Sequence, residues 1–215
     1  MPLVSLPTPN TSLALHTSTP ELGLAIARSN GECRHQIWEL GRDTSTLLHA
    51  YLVDFLPPQT WQELAFIAVA KGPGGFTGTR IGVVTARTLA QQLDIPLFGI
   101  STLAAVAWDA AKTLETSIEI AVQMPAQRGE VFGAIYQSDR PQNQLIEVLP
   151  EAVMGLEAWK NLLKKHDTAY HLITAEGNLG RFVTSILEIA QVEWSHGLRP
   201  HWSEVLPFYG QHPIA

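Results

Sequence analysis

The chain is short of the residues that most enzymes and secreted proteins depend on. One cysteine, Cys33, stands among 215 residues. That excludes an internal disulfide and fits a reducing, cytoplasmic compartment. No apolar run approaches the ~18 residues of a membrane-spanning helix, so no membrane association is expected. The opening stretch MPLVSLPTPNTS has no basic n-region and no long apolar segment, so it does not read as a secretory signal. Its prolines and polar residues make residues 1–11 an expected disordered tail. The net charge of −6 argues against a stand-alone nucleic-acid binder, whose footprint would be basic. None of the eight histidines falls in H-E-x-x-H, and no C-x-x-C exists, so no metal site is expected. His166/His171 and His196/His201 are each five apart, which is not one face of a helix. The G-x-S-x-G elbow of serine hydrolases is also missing. Cys33 reads as a small apolar residue in a hairpin strand, not a nucleophile.

What the chain does have is Lys71 to Val84, KGPGGFTGTRIGVV, with four glycines and a proline between Gly72 and Gly78. The apolar run LAFIAVA (Leu64 to Ala70) leads in, and the helical pattern Thr79 to Leu93 leads out. A strand, a tight glycine turn and a helix N-terminus together point amide donors at one spot, which suits an anion or a close backbone. The spacing matches neither the phosphate loop, which needs a lysine after the last glycine, nor G-x-G-x-x-G. A structural turn and a phosphate site both stay open. The neighbouring segments LALHTST and KGPGGFTGTR carry no carboxylate to hold magnesium. A nucleotide site, if present, would use Thr17, Ser18, Thr19, Gly72, Gly74, Gly75 and Thr77.

Along the chain, Ser12–Ser18, Leu22–Ser29 and Glu32–Leu40 read as three strands, with Asn30-Gly31 a hairpin turn between the last two. Asp43 can cap a helix from Thr44 to Leu56, which Pro57-Pro58 ends. That helix is apolar on more than one face, so core packing and partner packing are both open. Leu64–Ala70, a helix, the short strand Leu97–Ile100 and a helix from Ser101 follow. Near residue 116 the pattern restarts: strands at Ser117–Met124, Gly129–Gln137 and Gln144–Pro150, a helix at Gly155–His166, a strand at His171–Gly177, a helix at Arg181–Ala190. The order β-β-β-α-β-α occurs twice. The expectation is an N-terminal lobe over 12–115 and a smaller C-terminal lobe over 116–215. Lys160, Lys164 and Lys165 read as a solvated face or an RNA contact. In the second helix Gly78, Gly82, Ala86 and Ala90 recur every fourth residue, a small stripe that lets another backbone approach.

The segment LALHTSTPELGLAI, followed by GPGGFTGTRIGVVTARTLAQQLDIPLFGISTLAAVA, resembles the TsaB (YeaZ) family of the bacterial machinery that makes N6-threonylcarbamoyladenosine in tRNA. QRGEVFGAIY (Gln127 to Tyr136) and VLPFY (Val205 to Tyr209) are similar to later segments of that family. The resemblance implies an α/β fold of the actin-like, Hsp70/sugar-kinase type with two lobes. It implies a non-catalytic subunit that pairs with a catalytic TsaD-like subunit through a helical bundle, with a TsaE-like ATPase as a further partner. tRNA would be met indirectly through the complex, and a homodimer would form when the chain is alone. No cofactor would be bound by this chain alone, with ATP or ADP reserved for a complex interface. The metal-binding H-x-x-x-H of the catalytic relatives reads here as Thr102 and Val106, which are not competent ligands. Two positions depart from the family pattern: His16 stands for the Asp of D-T-S-T, and Pro125-Ala126-Gln127 for D-A-R. The interface expected on this reading is Leu47, Leu48, Tyr51, Leu52 and Phe55 of the first helix with Gly78, Arg80, Ile81, Gly82, Ala86 and Ala90 of the second. The competing reading is a nucleotide-dependent actin-like ATPase or phosphotransferase acting on its own. A peptidase has no nucleophile or metal to work with.

Overall fold

The computed structural model of the chain describes residues 10–114, 118–139 and 141–210. Most of the expected disordered tail, the first residue of the Arg140 turn and the lobe boundary at residue 115 lie outside the described residues. Thr11, assigned to the tail, instead opens the first strand and is 1% exposed.

The first sheet holds β1 (Thr11–His16), β2 (Glu21–Arg28), β3 (Cys33–Glu39), β4 (Leu64–Ala70) and β5 (Leu97–Ile100) in the order β3-β2-β1-β4-β5. β1 to β3 form an antiparallel meander, and β1, β4 and β5 run parallel. The parallel strands are near-continuous apolar runs because both faces are covered. On the outer face lie α1 (Thr44–Phe55) and α2 (Phe76–Leu93), packed on Leu13, Leu15, Leu24, Ile67 and Val69. The second sheet holds β6 (Glu119–Pro125), β7 (Glu130–Asp139), β8 (Gln144–Gly155) and β9 (Tyr170–Thr174) in the order β8-β7-β6-β9. It repeats the first, strand for strand, as far as β4. Its outer face carries α4 (Leu156–Lys164), anchored by the fully buried Trp159. Between the sheets lie α3 (Thr102–Ala111) and α5 (Val183–Ser195), in one apolar core fed by both inner faces.

Parts of the chain expected in the second lobe also pack on the first sheet. α5 packs on β1, β2, β4 and β5 of the first sheet, with Trp194 against Phe66 at 5.0 Å. The closing segment also returns there: Leu97 donates to the Pro200 carbonyl at 3.2 Å, and Phe208 donates to that of Lys71 at 2.6 Å. Among the described residues the second repeat has no counterparts of α2 and β5, so its final helix corresponds to α3 and fills the shared middle layer. Two local expectations change as well. Asp43 makes no capping hydrogen bond, and Cys33 is exposed on the edge strand. Ser101 does cap α3, accepting from the amides of Leu103 at 3.1 Å and Ala104 at 3.3 Å.

Candidate functional site

A cleft of about 970 Å³ opens where the parallel strands of both sheets end. Ligands of α/β proteins collect at the carboxyl ends of strands for topological reasons. Here the loop after β1 supplies Thr17, Ser18 and Thr19, and the turn after β4 supplies Gly74 to Gly78. The turn after β6 supplies Met124 to Arg128, and the end of β9 supplies Ala175 to Gly177, with Phe132 and Tyr209 closing the walls. Of the residues expected at a nucleotide, Thr17, Ser18, Thr19, Gly74, Gly75 and Thr77 come together in this cleft. Gly72 does not: it is buried against the Phe208 carbonyl, where a Cβ would sit 2.5 Å from the oxygen.

The glycines are explained by the chain itself. A Cβ on Gly74 would lie 2.3 Å from the Ser18 carbonyl oxygen, and one on Gly78 2.2 Å from that of Thr17. On Gly82 it would lie 2.1 Å from Thr17 Oγ1. The Gly75 amide donates to the Ser18 carbonyl at 2.7 Å, and Thr17 Oγ1 to the Gly78 carbonyl at 2.8 Å. The small face of α2 thus receives the loop after β1. α2 begins three residues earlier than its pattern predicts, so Gly78 is helical and its missing side chain makes the approach.

The cleft is poor in charge. Arg128 is its lone basic lining residue and Glu176 its lone carboxylate. Arg128 sits at φ 61 in the turn between β6 and β7. His16 is fully buried, and neither ring nitrogen finds a hydrogen-bond partner among the described residues. Burial pushes it down from 6.5 to about 4, and contact with its own backbone offsets only part of this. At neutral pH it is an uncharged imidazole. No grouping of three or more His, Cys, Asp or Glu with metal-holding geometry occurs among the described residues. Thr102 and Val106 are buried apolar-layer residues of α3.

The expected interface residues divide into two sets. Leu48, Leu52 and Phe55 of α1, and Ala86 and Ala90 of α2, are buried beneath their own helices against the first sheet, and Gly82 is buried against Thr17 of the loop after β1. Their side chains are therefore not part of the surface of the single chain. Leu47, Tyr51, Gly78 and Ile81 are half-buried, and Arg80 is exposed. Tyr51 is committed to Trp38 at 4.9 Å. The exposed residues are Ser45, Thr46, His49, Ala50, Val53 and Asp54 on α1, and Phe76, Thr77, Arg80, Val84, Thr88, Gln91 and Gln92 on α2, with Ile81 half-buried. Val53 is 59% exposed and Val84 53%. The sequence carried a signal for them: 46/50/53 and 77/81/84/88 are helical repeats, opposite the larger residues.

The chain as a whole is similar to several known proteins. The chain is 36% identical over 185 residues to the Bacillus subtilis "tRNA threonylcarbamoyladenosine biosynthesis protein TsaB", covering 79% of this chain and 77% of that one. The chain belongs to the TsaB family. A Haemophilus influenzae TsaB is 28% identical over 222 residues, covering 93% of this chain and 92% of its own. Residues 59–184 match the family described as "TsaD: tRNA N6-adenosine threonylcarbamoyltransferase". This span runs from before β4 into α5 and contains the glycine turn. The fold is that of YeaZ from Pseudomonas aeruginosa, with a TM-score of 0.75 at 23% identity over 93% of this chain and 99% of that chain. A second Pseudomonas aeruginosa structure, titled as an uncharacterized protein with similarity to peptidase YeaZ, gives 0.77 at 22% identity over 94% of this chain and 100% of that chain. The repeated sheets bear out the duplicated two-lobe α/β architecture that the TsaB resemblance implied.

Proposed function

We propose that the chain serves N6-threonylcarbamoyladenosine synthesis in tRNA as an accessory subunit, and that it holds a TsaD-type enzyme through the open face of α1 and α2. The observation that carries this reading is the close match to TsaB proteins named for that pathway. Two features of the molecule support the accessory role. His16, buried and neutral, lies directly before the cleft residues Thr17 to Thr19, and Gly74 and Gly78 of the cleft are packed against the backbone of Ser18 and Thr17. Val53 of α1 and Val84 of α2 are more than half exposed, and apolar side chains left open in this way are of the kind that marks a protein contact.

On this reading the same face closes a homodimer when the chain is alone, since a self-complementary patch covers itself with two-fold symmetry. A TsaE-like ATPase joins the pair, ATP or ADP belongs to a complex interface, and tRNA is met through the partner, all in the cytoplasm. No helix among the described residues is long and apolar enough to cross a membrane.

The test is reconstitution with the TsaD-type subunit of the same cell. Transfer to tRNA should need both chains, with the isolated chain inactive. Transfer by the chain alone, or full activity of the partner without it, would overturn the reading.

A further inference from the structure

The edge strand β3 is exposed along most of its length, and its two half-buried residues, Arg34 and Trp38, both serve α1. Trp38 packs on Tyr51 at 4.9 Å and on Phe55 at 5.9 Å. Arg34, four residues back and therefore on the same face of the strand, reaches the end of α1. Its Nη1 donates to the Phe55 carbonyl at 2.5 Å. Its Nη2 donates to the carbonyls of Leu56 at 2.8 Å and Pro57 at 3.0 Å, and to Gln59 Oε1 at 2.8 Å. The guanidinium also lies over the Phe55 ring, 4.4 Å from its centroid.

The need for this arrangement is written in the sequence. A helix leaves its last carbonyls without donors. Here the amides that would normally serve Val53 and Asp54 belong to Pro57 and Pro58, which have none. The chain then turns away with three further carbonyls gathered at one point. The Gln59 amide donates to the Leu56 carbonyl at 3.1 Å, and the planar fork of Arg34 reaches all three carbonyls at once, with a charge that suits the negative end of the helix dipole. Among the described ion pairs Arg34 has no carboxylate partner. Its charge is spent on the helix end.

We infer that Arg34 is a positioning residue for partner docking: by clamping the last turn of α1 it holds Val53, one turn from the clamp, in the geometry the partner meets. This rests on the proposed docking face of α1 and α2.

The experiment compares Arg34→Ala, Arg34→Lys and Val84→Glu with the natural chain, using the purified TsaD-type subunit. Dissociation rates of the complex and amide hydrogen exchange of the free chain are measured well below the melting temperature. Arg34→Ala should dissociate about tenfold faster, with exchange rising at residues 53–56 and 59 and unchanged elsewhere. Arg34→Lys, a point donor without the fork, should fall between. Natural dissociation by Arg34→Ala overturns the inference, and so does exchange that rises through the whole chain, which would mean a general structural role. Val84→Glu separates the two proposals. If it binds normally, the docking face is wrong. If it fails to bind while Arg34→Ala binds normally, only the role of Arg34 is wrong.

Discussion

Acid should destabilise this protein through His16 before it touches most carboxylates. The imidazole is wholly buried, and its value falls from 6.5 to about 4. In the unfolded chain the same ring titrates near 6.5. As pH falls below that value, the unfolded state takes up a proton that the folded state refuses, so the equilibrium shifts toward unfolding. The contribution is fully present above 6.5 and lost as pH falls to about 4. At ~1.36 kcal/mol per pH unit the loss totals about 3 kcal/mol, a large part of the ~5–15 kcal/mol that holds a domain folded. Urea denaturation of the natural chain and of His16→Leu, measured every half unit from pH 7.5 to 4, reads the effect directly. The variant should lose less stability across that window by about the same 3 kcal/mol. Its stability at pH 7 should be equal or higher, since neither imidazole nitrogen has a hydrogen-bond partner among the described residues. Parallel pH curves for the two proteins would refute the buried neutral histidine, and with it the physical case against a cation beside the cleft.

Other outcomes follow from the same coordinates. Gly78→Ala and Gly82→Ala put a methyl within 2.2 Å and 2.1 Å of Thr17 atoms, and each should cost ~1–3 kcal/mol in chemical denaturation. Leu48→Ala, at 0% exposure, should cost ~2–5 kcal/mol, a loss of folding rather than of partner binding. Glu151, on β8, is bonded by the Ser101 hydroxyl that caps α3, and burial holds its carboxyl above the usual range despite Lys71 nearby. A carboxyl raised in the folded state favours folding at low pH and loses that advantage as pH rises through its folded value. Glu151→Gln should therefore raise the melting temperature at pH 8 relative to the natural chain, with the gain shrinking toward pH 4.5.

Much of the fold was legible because the local signals agreed. LAFIAVA, bounded by Trp61-Gln62-Glu63 and by the glycine turn, is β4 residue for residue. Asn30-Gly31 joins β2 and β3, and Pro57-Pro58 follows the end of α1 as a helix breaker should. The start of α2 was missed because Phe76-Thr77-Gly78 looks like turn sequence, and helix there depends on Thr17, 61 residues away. The same long-range contact redirects the small stripe. Spacing announces a close approach but does not say whose backbone approaches. α1 posed a similar ambiguity, and the first sheet takes its larger side chains while leaving Ala50 and Val53 outside. The return of α5 to the first sheet was hidden because its apolar faces suit either sheet. The loop after β6, where Arg128 adopts positive φ, and Tyr209 join the cleft only through tertiary packing.

The central claim is that the outer face of α1 and α2 holds the catalytic partner. Titration calorimetry of the TsaD-type subunit with Val53→Asp and Val84→Glu tests it most directly. Both side chains are more than half exposed, so both variants should fold and melt like the natural chain. Each should weaken the complex at least tenfold, since a carboxylate is stranded in an apolar contact. Natural affinity from both, with natural melting, would contradict the account.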